Sequence, residues 1–176
     1  MRKVAMLGSG FIGRFYADSI VGLRSRDKIV SIYSRSEENA RKFAEDYDVP
    51  HFTTDMRESI FHEEVDTVII SLPNHLHEEA VMACVEAGKG VLCTKPLGRT
   101  AAEAKRMLEA VEENGIFNGY LEDLVYTPKY MKALESVKNG ALGNILWTRS
   151  REAHPGPHSE WFWDMELAGG GCIVDL

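Results

Sequence analysis

The sequence has no stretch of 18 apolar residues, the minimum for a helix that crosses a bilayer, so no membrane partner is expected. It has only three cysteines, Cys84, Cys93 and Cys172, widely spaced and without a C-x-x-C pair. That excludes a zinc ribbon and argues against a disulfide framework; all three read as small buried apolar residues. It also lacks a basic stripe. Lys and Arg number 20 against 27 Asp and Glu, and the net charge of −7 is spread along the chain. Nucleic acid is therefore not an expected partner. No repeat or low-complexity tract is present. The basic start and the apolar run Val4–Leu7 imitate a signal peptide, but glycines and Arg14 interrupt them and no A-x-A site follows. With 44% hydrophobic and 27% charged residues, the balance is globular, and a cytoplasmic protein is expected.

What is present is an alternation of two periods over residues 1–120. Val4–Leu7, Ile29–Tyr33, Val65–Leu72, Gly90–Thr94 and Ile116–Tyr120 read as strands, with a short one at His51–Thr53. Between them lie helical faces: Ile12, Tyr16, Ile20 and Leu23; Ala40, Phe43, Ala44 and Tyr47; Leu76, Ala80, Cys84 and Ala87; Ala104, Met107, Leu108 and Val111. Ser34–Glu37 caps the second helix, and Thr100-Ala101-Ala102-Glu103 is a capping box for the fourth. Strand and helix in alternation predict an α/β fold, a doubly wound parallel sheet of the Rossmann kind. After Tyr120 the rhythm changes. Thr127-Pro128 opens a helix striped by Met131, Leu134 and Val137, and Ile145–Ser150 reads as a strand. Residues 121–176 are thus expected to begin a second, incomplete α+β domain.

The first strand runs into Gly8-Ser9-Gly10-Phe11-Ile12-Gly13, and a helix follows. In that context G-x-G-x-x-G points to a dinucleotide: Gly8 for the turn, Gly10 for close approach of a pyrophosphate, Gly13 for helix packing, and the helix N-terminus for the anion. An NAD site usually has an acid at the end of the second strand. Here that strand ends Tyr33-Ser34-Arg35-Ser36, with no acid before Glu37. Arg35 can pair with a 2′-phosphate and stack on adenine, and the Ser34 hydroxyl can join it, so NADP is favoured over NAD. The alternative is that Arg35 is a solvated charge and the serines only cap a helix.

Four motifs in order resemble the glucose–fructose oxidoreductase, inositol dehydrogenase and rhizopine-catabolism (Gfo/Idh/MocA) family of NAD(P)-dependent oxidoreductases. They are the glycine loop, Leu72-Pro73-Asn74-His75-Leu76-His77, Cys93-Thr94-Lys95-Pro96-Leu97 and Gly169-Gly170-Gly171-Cys172-Ile173-Val174-Asp175-Leu176. The resemblance implies an N-terminal Rossmann domain and a C-terminal sheet domain that carries the substrate site and mediates homo-oligomer formation. It implies hydride transfer between nicotinamide and a sugar, inositol or related polyol. It places Gly8, Gly10, Phe11, Ile12, Gly13, Ser34, Arg35, Leu72, Pro73, Asn74, Lys95 and Pro96 at the cofactor, with His77 either contacting it or filling a turn. Lys95 and Asp175 are the implied catalytic residues, Lys95 on the reacting hydroxyl. Thr94 stands where the family usually has Glu. The family's general base, a His four residues after the Asp, would fall past Leu176, so this chain alone is expected to be inactive.

Glu122, Tyr126, His154, His158, Trp161 and Trp163 are candidate substrate contacts, the last four in a segment that otherwise reads as a hinge loop. No metal site is expected, because no carboxylate or cysteine pattern supports the histidines. Two rival readings are a dinucleotide-binding module or partner subunit without catalysis, and an NAD-dependent glycosidase.

Overall fold

The computed structural model describes residues 1–22, 26–153 and 155–175, with Asp175 placed by its backbone alone. Six strands form one sheet: β1 (Lys3–Leu7), β2 (Lys28–Tyr33), β3 (His51–Thr53), β4 (Thr67–Ile70), β5 (Gly90–Thr94) and β6 (Asn118–Leu121). Their order is β3-β2-β1-β4-β5-β6, and every pairing is parallel. The chain therefore winds outward from β1, crosses back, and winds outward again from β4. The doubly wound sheet expected from the alternating pattern is the one observed, and its winding reverses between β1 and β4.

Two layers of helices cover it. Helices α1 (Phe11–Val21) and α2 (Glu37–Tyr47) lie over Val4, Met6, Ile29, Ile32 and Ile69. On the other face, α3 (Met56–Phe61), α4 (His77–Glu86) and α5 (Ala101–Glu113) lie over Ala5, Leu7, Val68, Ile70, Val91 and Cys93. Ile29 and Ile32 share a face although they are three apart. The pairing of β1 with β2 shifts between Val4 and Ala5, and the extra residue of a bulge restores the inward side.

Caps close the helices as the sequence implies. The Asn39 N–H donates to Ser36 Oγ at 3.4 Å, and the Glu103 N–H donates to Thr100 Oγ1 at 3.2 Å. Helix α3 is not anticipated by periodicity, being too short to show one. Its signal is Asp55, whose carboxylate accepts the N–H groups of Arg57 and Glu58 at 2.8 and 3.2 Å. The face of α1 differs from the expected one. Gly13 and Ala17 are buried, Tyr16 and Ile20 half-buried, and Ile12 stays 40% exposed. The helix lies so close to β1 that only the smallest side chains fit beneath it. Leu23 is outside the described residues.

Beyond Leu121, α6 (Pro128–Lys138) starts at Thr127 and Pro128 as expected. The strand expected at Ile145–Ser150 does not form. No strand among the described residues pairs with it, and Leu146 and Trp147 are 94% and 77% exposed. A strand with no neighbour has no ladder to join. Two further short helices are α7 (Met165–Ala168) and α8 (Cys172–Asp175). Among the described residues no helix is long and apolar enough to cross a membrane.

The cysteines divide. Cys84 and Cys93 are buried, and burial pushes each thiol up to about 12, with the Cys93 thiol adding to the effect on Cys84. Cys172, at the start of α8, is exposed, contrary to the expectation that all three are core residues. A thiolate is the reactive form. At pH 8, therefore, an aromatic disulfide reagent should modify one thiol per native chain within minutes and three after denaturation. Fast reaction of two or three native thiols would contradict this packing.

Candidate active site

The carboxyl edge of the sheet is built around the turn after β1. Gly8 has φ +107°, and a Cβ there would stand 2.3 Å from the Ser71 carbonyl oxygen at the end of β4. A Cβ on Gly13 would stand 2.0 Å from the Gly8 carbonyl oxygen. Both positions therefore require glycine. Ser71 Oγ donates to the Leu7 carbonyl at 2.8 Å, and the Gly8 N–H donates to Tyr33 O at 2.9 Å, tying the ends of β4, β1 and β2 together. Gly10 is different. Its φ is −75°, and no atom lies within 4 Å of where a Cβ would be. It caps α1 without a side-chain bond, and the first turn of that helix carries no acid. The open backbone and the uncapped N–H groups form a cradle of the shape and polarity that a pyrophosphate requires.

On the β2 side, Ser34 is buried and its hydroxyl shares a hydrogen bond of 2.8 Å with the Ser9 hydroxyl inside the glycine loop. Arg35 is exposed beside it. No carboxylate ends β2; an exposed Arg and two paired hydroxyls stand there.

On the other side, the loops after β4 and β5 are pinned to each other. His77 is fully buried at the start of α4. Its Nδ1 lies 2.9 Å from Pro96 O and its Nε2 2.9 Å from Leu72 O. The ring thus spans the two loops that carry Leu72-Pro73 and Lys95-Pro96. Burial holds its pKa below the usual histidine range, outweighing the neighbouring carbonyls. Thr94 is buried, and its hydroxyl donates to Ile70 O at 2.9 Å, so this departure from the family's Glu acts here as a strand-end tie. Lys95 follows β5 directly and is half-buried, and its bond to Pro96 is cis.

The glycine loop and the sheet beneath it match a family model. Residues 2–119 fit the model described as the oxidoreductase family with an NAD-binding Rossmann fold. The chain belongs to this family. It is 30% identical over 191 residues to levoglucosan dehydrogenase of Pseudarthrobacter phenanthrenivorans, covering 99% of this chain and 48% of that protein. It is 29% identical over 178 residues to 1,5-anhydro-D-fructose reductase of Ensifer adhaerens, covering 100% of this chain and 53% of that one. Among solved structures it superposes on GenD2 from gentamicin A biosynthesis, in complex with NAD, with TM-score 0.87 and 26% identity, over 99% of this chain and 50% of that one. The chain thus spans about half the length of the curated relatives it matches.

The family fold gathers most of the candidate residues at one edge: Gly8–Gly13 after β1, Ser34 and Arg35 after β2, Leu72–Asn74 after β4, Lys95 and Pro96 after β5, and Glu122 after β6. Glu122 accepts the Leu124 N–H at 3.0 Å, and Tyr126 is 76% exposed. His158 reaches the glycine loop, its ring 5.7 Å from that of Phe11. Trp161 stacks on Phe162 at 3.8 Å, whereas Trp163 is 75% exposed. His154 and the side chain of Asp175 lie outside the described residues. The Asn74 amide is engaged, with Nδ2 donating to Ala168 O at 2.8 Å. Ser9 and Ser71 are contributors to which the motifs assign no role, Ser9 within the glycine loop and Ser71 just before Leu72-Pro73.

Two tests follow from this geometry. Gly10→Ala should leave stability within about 1 kcal/mol, the scale of an N-cap change, and weaken dinucleotide binding at least about tenfold. Gly13→Ala should destabilise the fold by about 1–3 kcal/mol or more, because its Cβ meets backbone. Calorimetry and a fluorescence titration separate the two effects; equal behaviour would contradict the cradle. The second test concerns pH. His77 is lowered chiefly by burial, and so is His75, where nearby Arg99 adds to the effect. In the unfolded chain both take up protons below about 6.5. Stability should therefore be full above that value and fall as pH drops from it toward the lower folded values. Tm measured from pH 7.5 to 5.0 should decline, and His77→Gln should flatten the slope.

Proposed function

We propose that this chain binds a nicotinamide dinucleotide along the carboxyl edge of its sheet, and that the protein it serves moves hydride between that cofactor and a sugar, inositol or related polyol. The observation that carries the reading is the Gly8–Gly10–Gly13 cradle at the β1/β4 switch, with Lys95 following β5 on the same edge. The names of two relatives, which refer to levoglucosan and 1,5-anhydro-D-fructose, support the substrate class. The nicotinamide ring supplies the hydride acceptor or donor. The protein's residues do the rest. The α1 N-terminus holds the pyrophosphate, and the backbone of Leu72-Pro73 flanks the nicotinamide end. The Lys95 ammonium donates to the reacting oxygen and stabilises negative charge that develops there. Asp175 is assigned to support the base.

On this reading residues 1–120 are the nucleotide-binding domain, and residues 121–176 begin a substrate domain through which the protein forms a homo-oligomer. The two buried unpaired thiols, Cys84 and Cys93, agree with a cytoplasmic setting. Arg35, together with the paired Ser9 and Ser34 hydroxyls, favours NADP over NAD.

The preference is tested by titrating the chain and its Arg35→Ala variant with both cofactors. Loss of a charge-assisted contact should weaken NADP binding about ten- to hundredfold and leave NAD within about threefold. Equal weakening of both would overturn the preference. Absence of binding to either by the unaltered chain would overturn the dinucleotide reading. The native protein, purified from its source, should change absorbance at 340 nm with NADP and a polyol panel.

A further inference from the structure

The four-residue helix α7 lies outside the sheet, yet its carbonyl end is held by two side chains of the dinucleotide-binding unit. Asn74 Nδ2, from the loop after β4, donates to Ala168 O at 2.8 Å. Arg99 Nη1, from the loop after β5, donates to Glu166 O. The Arg99 guanidinium is itself fixed by Glu103 on the first turn of α5. Its Nη2 and Nε lie 2.6 and 3.1 Å from Oε1, and the Arg99 N–H donates to Oε2 at 2.9 Å. The Glu103 side chain is 10% exposed and that of Arg99 30%, so the carboxylate is buried while the guanidinium stays partly open to solvent.

The contact is also steric. Gly169 ends α7 at φ +85°, and a Cβ there would stand 2.5 Å from Arg99 Cβ and 2.6 Å from its Cα. The glycine lets α7 lie against the Arg99 backbone. The last carbonyls of a helix have no partner of their own, and here both donors that meet them come from the two loops bearing Leu72-Pro73 and Lys95. From Gly169 the chain continues through Gly170 and Gly171 directly into α8, which ends at Asp175.

We propose that Arg99, locked by Glu103 and assisted by Asn74, is a positioning residue. It clamps α7 to the loops after β4 and β5, so the Gly169–Asp175 segment is held as a wall of the nucleotide site and responds to nucleotide binding. The response rests on the dinucleotide reading; the clamp does not. Neither Arg99 nor Glu103 touches the reacting atoms. Their effect passes through α7.

Hydrogen exchange of the 176-residue chain tests both parts. The reporters are the N–H groups of Ala168 and Gly169, which donate within α7 to Asp164 O and Met165 O at 2.9 and 2.8 Å. Without nucleotide, Arg99→Ala should speed exchange over residues 165–169 at least about tenfold, leave residues 3–7 and 67–70 unchanged, and be partly rescued by Arg99→Lys. Gly169→Ala should do the same from the other side of the contact. It settles the clamp if Arg99→Ala fails to fold, since it changes no residue of the sheet unit and keeps the Arg99–Glu103 pair. Unchanged exchange over 165–169 in Gly169→Ala, or in a folded Arg99→Ala, would overturn the clamp. With NADPH, the unaltered chain should gain protection at both 8–13 and 165–169, and Arg99→Ala should keep the first and lose the second. Protection at 8–13 with none at 165–169 in the unaltered chain would overturn the response. Protection at neither would remove the dinucleotide reading and the response with it, while the nucleotide-free comparison still decides the clamp.

Discussion

The close approach of two backbone segments, the turn at Gly8 and the end of β4 at Ser71, governs the geometry of the whole carboxyl edge. Side chains are excluded from this contact, since a methyl on Gly8 would stand 2.3 Å from a carbonyl oxygen. The tightness propagates. With Gly8 in place, α1 starts immediately above β1, and Gly13 must be bare to clear the Gly8 carbonyl. The helix then rests on Gly13 and Ala17, and its N-terminus projects over the point where the sheet's winding reverses. There the strand ends diverge and leave a crevice. Gly10 is the one glycine of the three around which space is open, which is why the same residue type serves packing at two positions and access at the third.

Rigidity at this edge comes from buried hydrogen bonds more than from charge. Ser71 to Leu7, Thr94 to Ile70, and His77, whose neutral ring has one N–H to donate to either the Leu72 or the Pro96 carbonyl, each join a loop to a neighbouring strand or loop. Each contributes about 1 kcal/mol net, but removing one partner strands a buried polar group at a cost of about 1–3 kcal/mol. Surface pairs such as Arg41–Glu37 and Lys105–Glu109 are exposed and contribute a few tenths of a kcal/mol at most. The ties therefore outweigh the more numerous ion pairs in fixing loop positions. They also explain how Thr94 can stand in place of a glutamate without loosening the loop: its hydroxyl finds the Ile70 carbonyl within the sheet.

Much of this edge was legible in the residues themselves. Apolar runs marked the buried strands because a sheet covered on both faces needs no alternation. The glycine loop was legible because its spacing answers a steric demand. Local signals failed where the decision lay with a distant partner. Tyr16 and Ile20 pack against the core as their spacing suggests, but the close approach to β1 centres the buried face on Gly13 and Ala17 and leaves Ile12 outside it. Ile145–Ser150 has strand composition but no strand beside it among the described residues. The bond from the Asn74 amide to a carbonyl 94 positions away in sequence likewise has no local signal. The Arg99–Glu166 link has no motif of its own, since one partner is a backbone oxygen that any residue could provide.

Two of the helices beyond the sheet, α6 and α7, show what decides order outside a core. Helix α6 has eleven residues, an N-terminal proline and an apolar stripe, yet Met131, Leu134 and Val137 remain 49%, 47% and 46% exposed. Helices of that length are marginal in water unless a face is buried. Helix α7 has four residues and almost no intrinsic stability, but Ala168 is fully buried and two carbonyls of the helix are met by Asn74 and Arg99. Tertiary anchoring, rather than length or propensity, thus couples α7 to the sheet unit while α6 stands apart from it. The anchored element is the one that leads to Asp175, and its anchors lie on the loops bearing Leu72-Pro73 and Lys95. A displacement of those loops would therefore reach α7 directly.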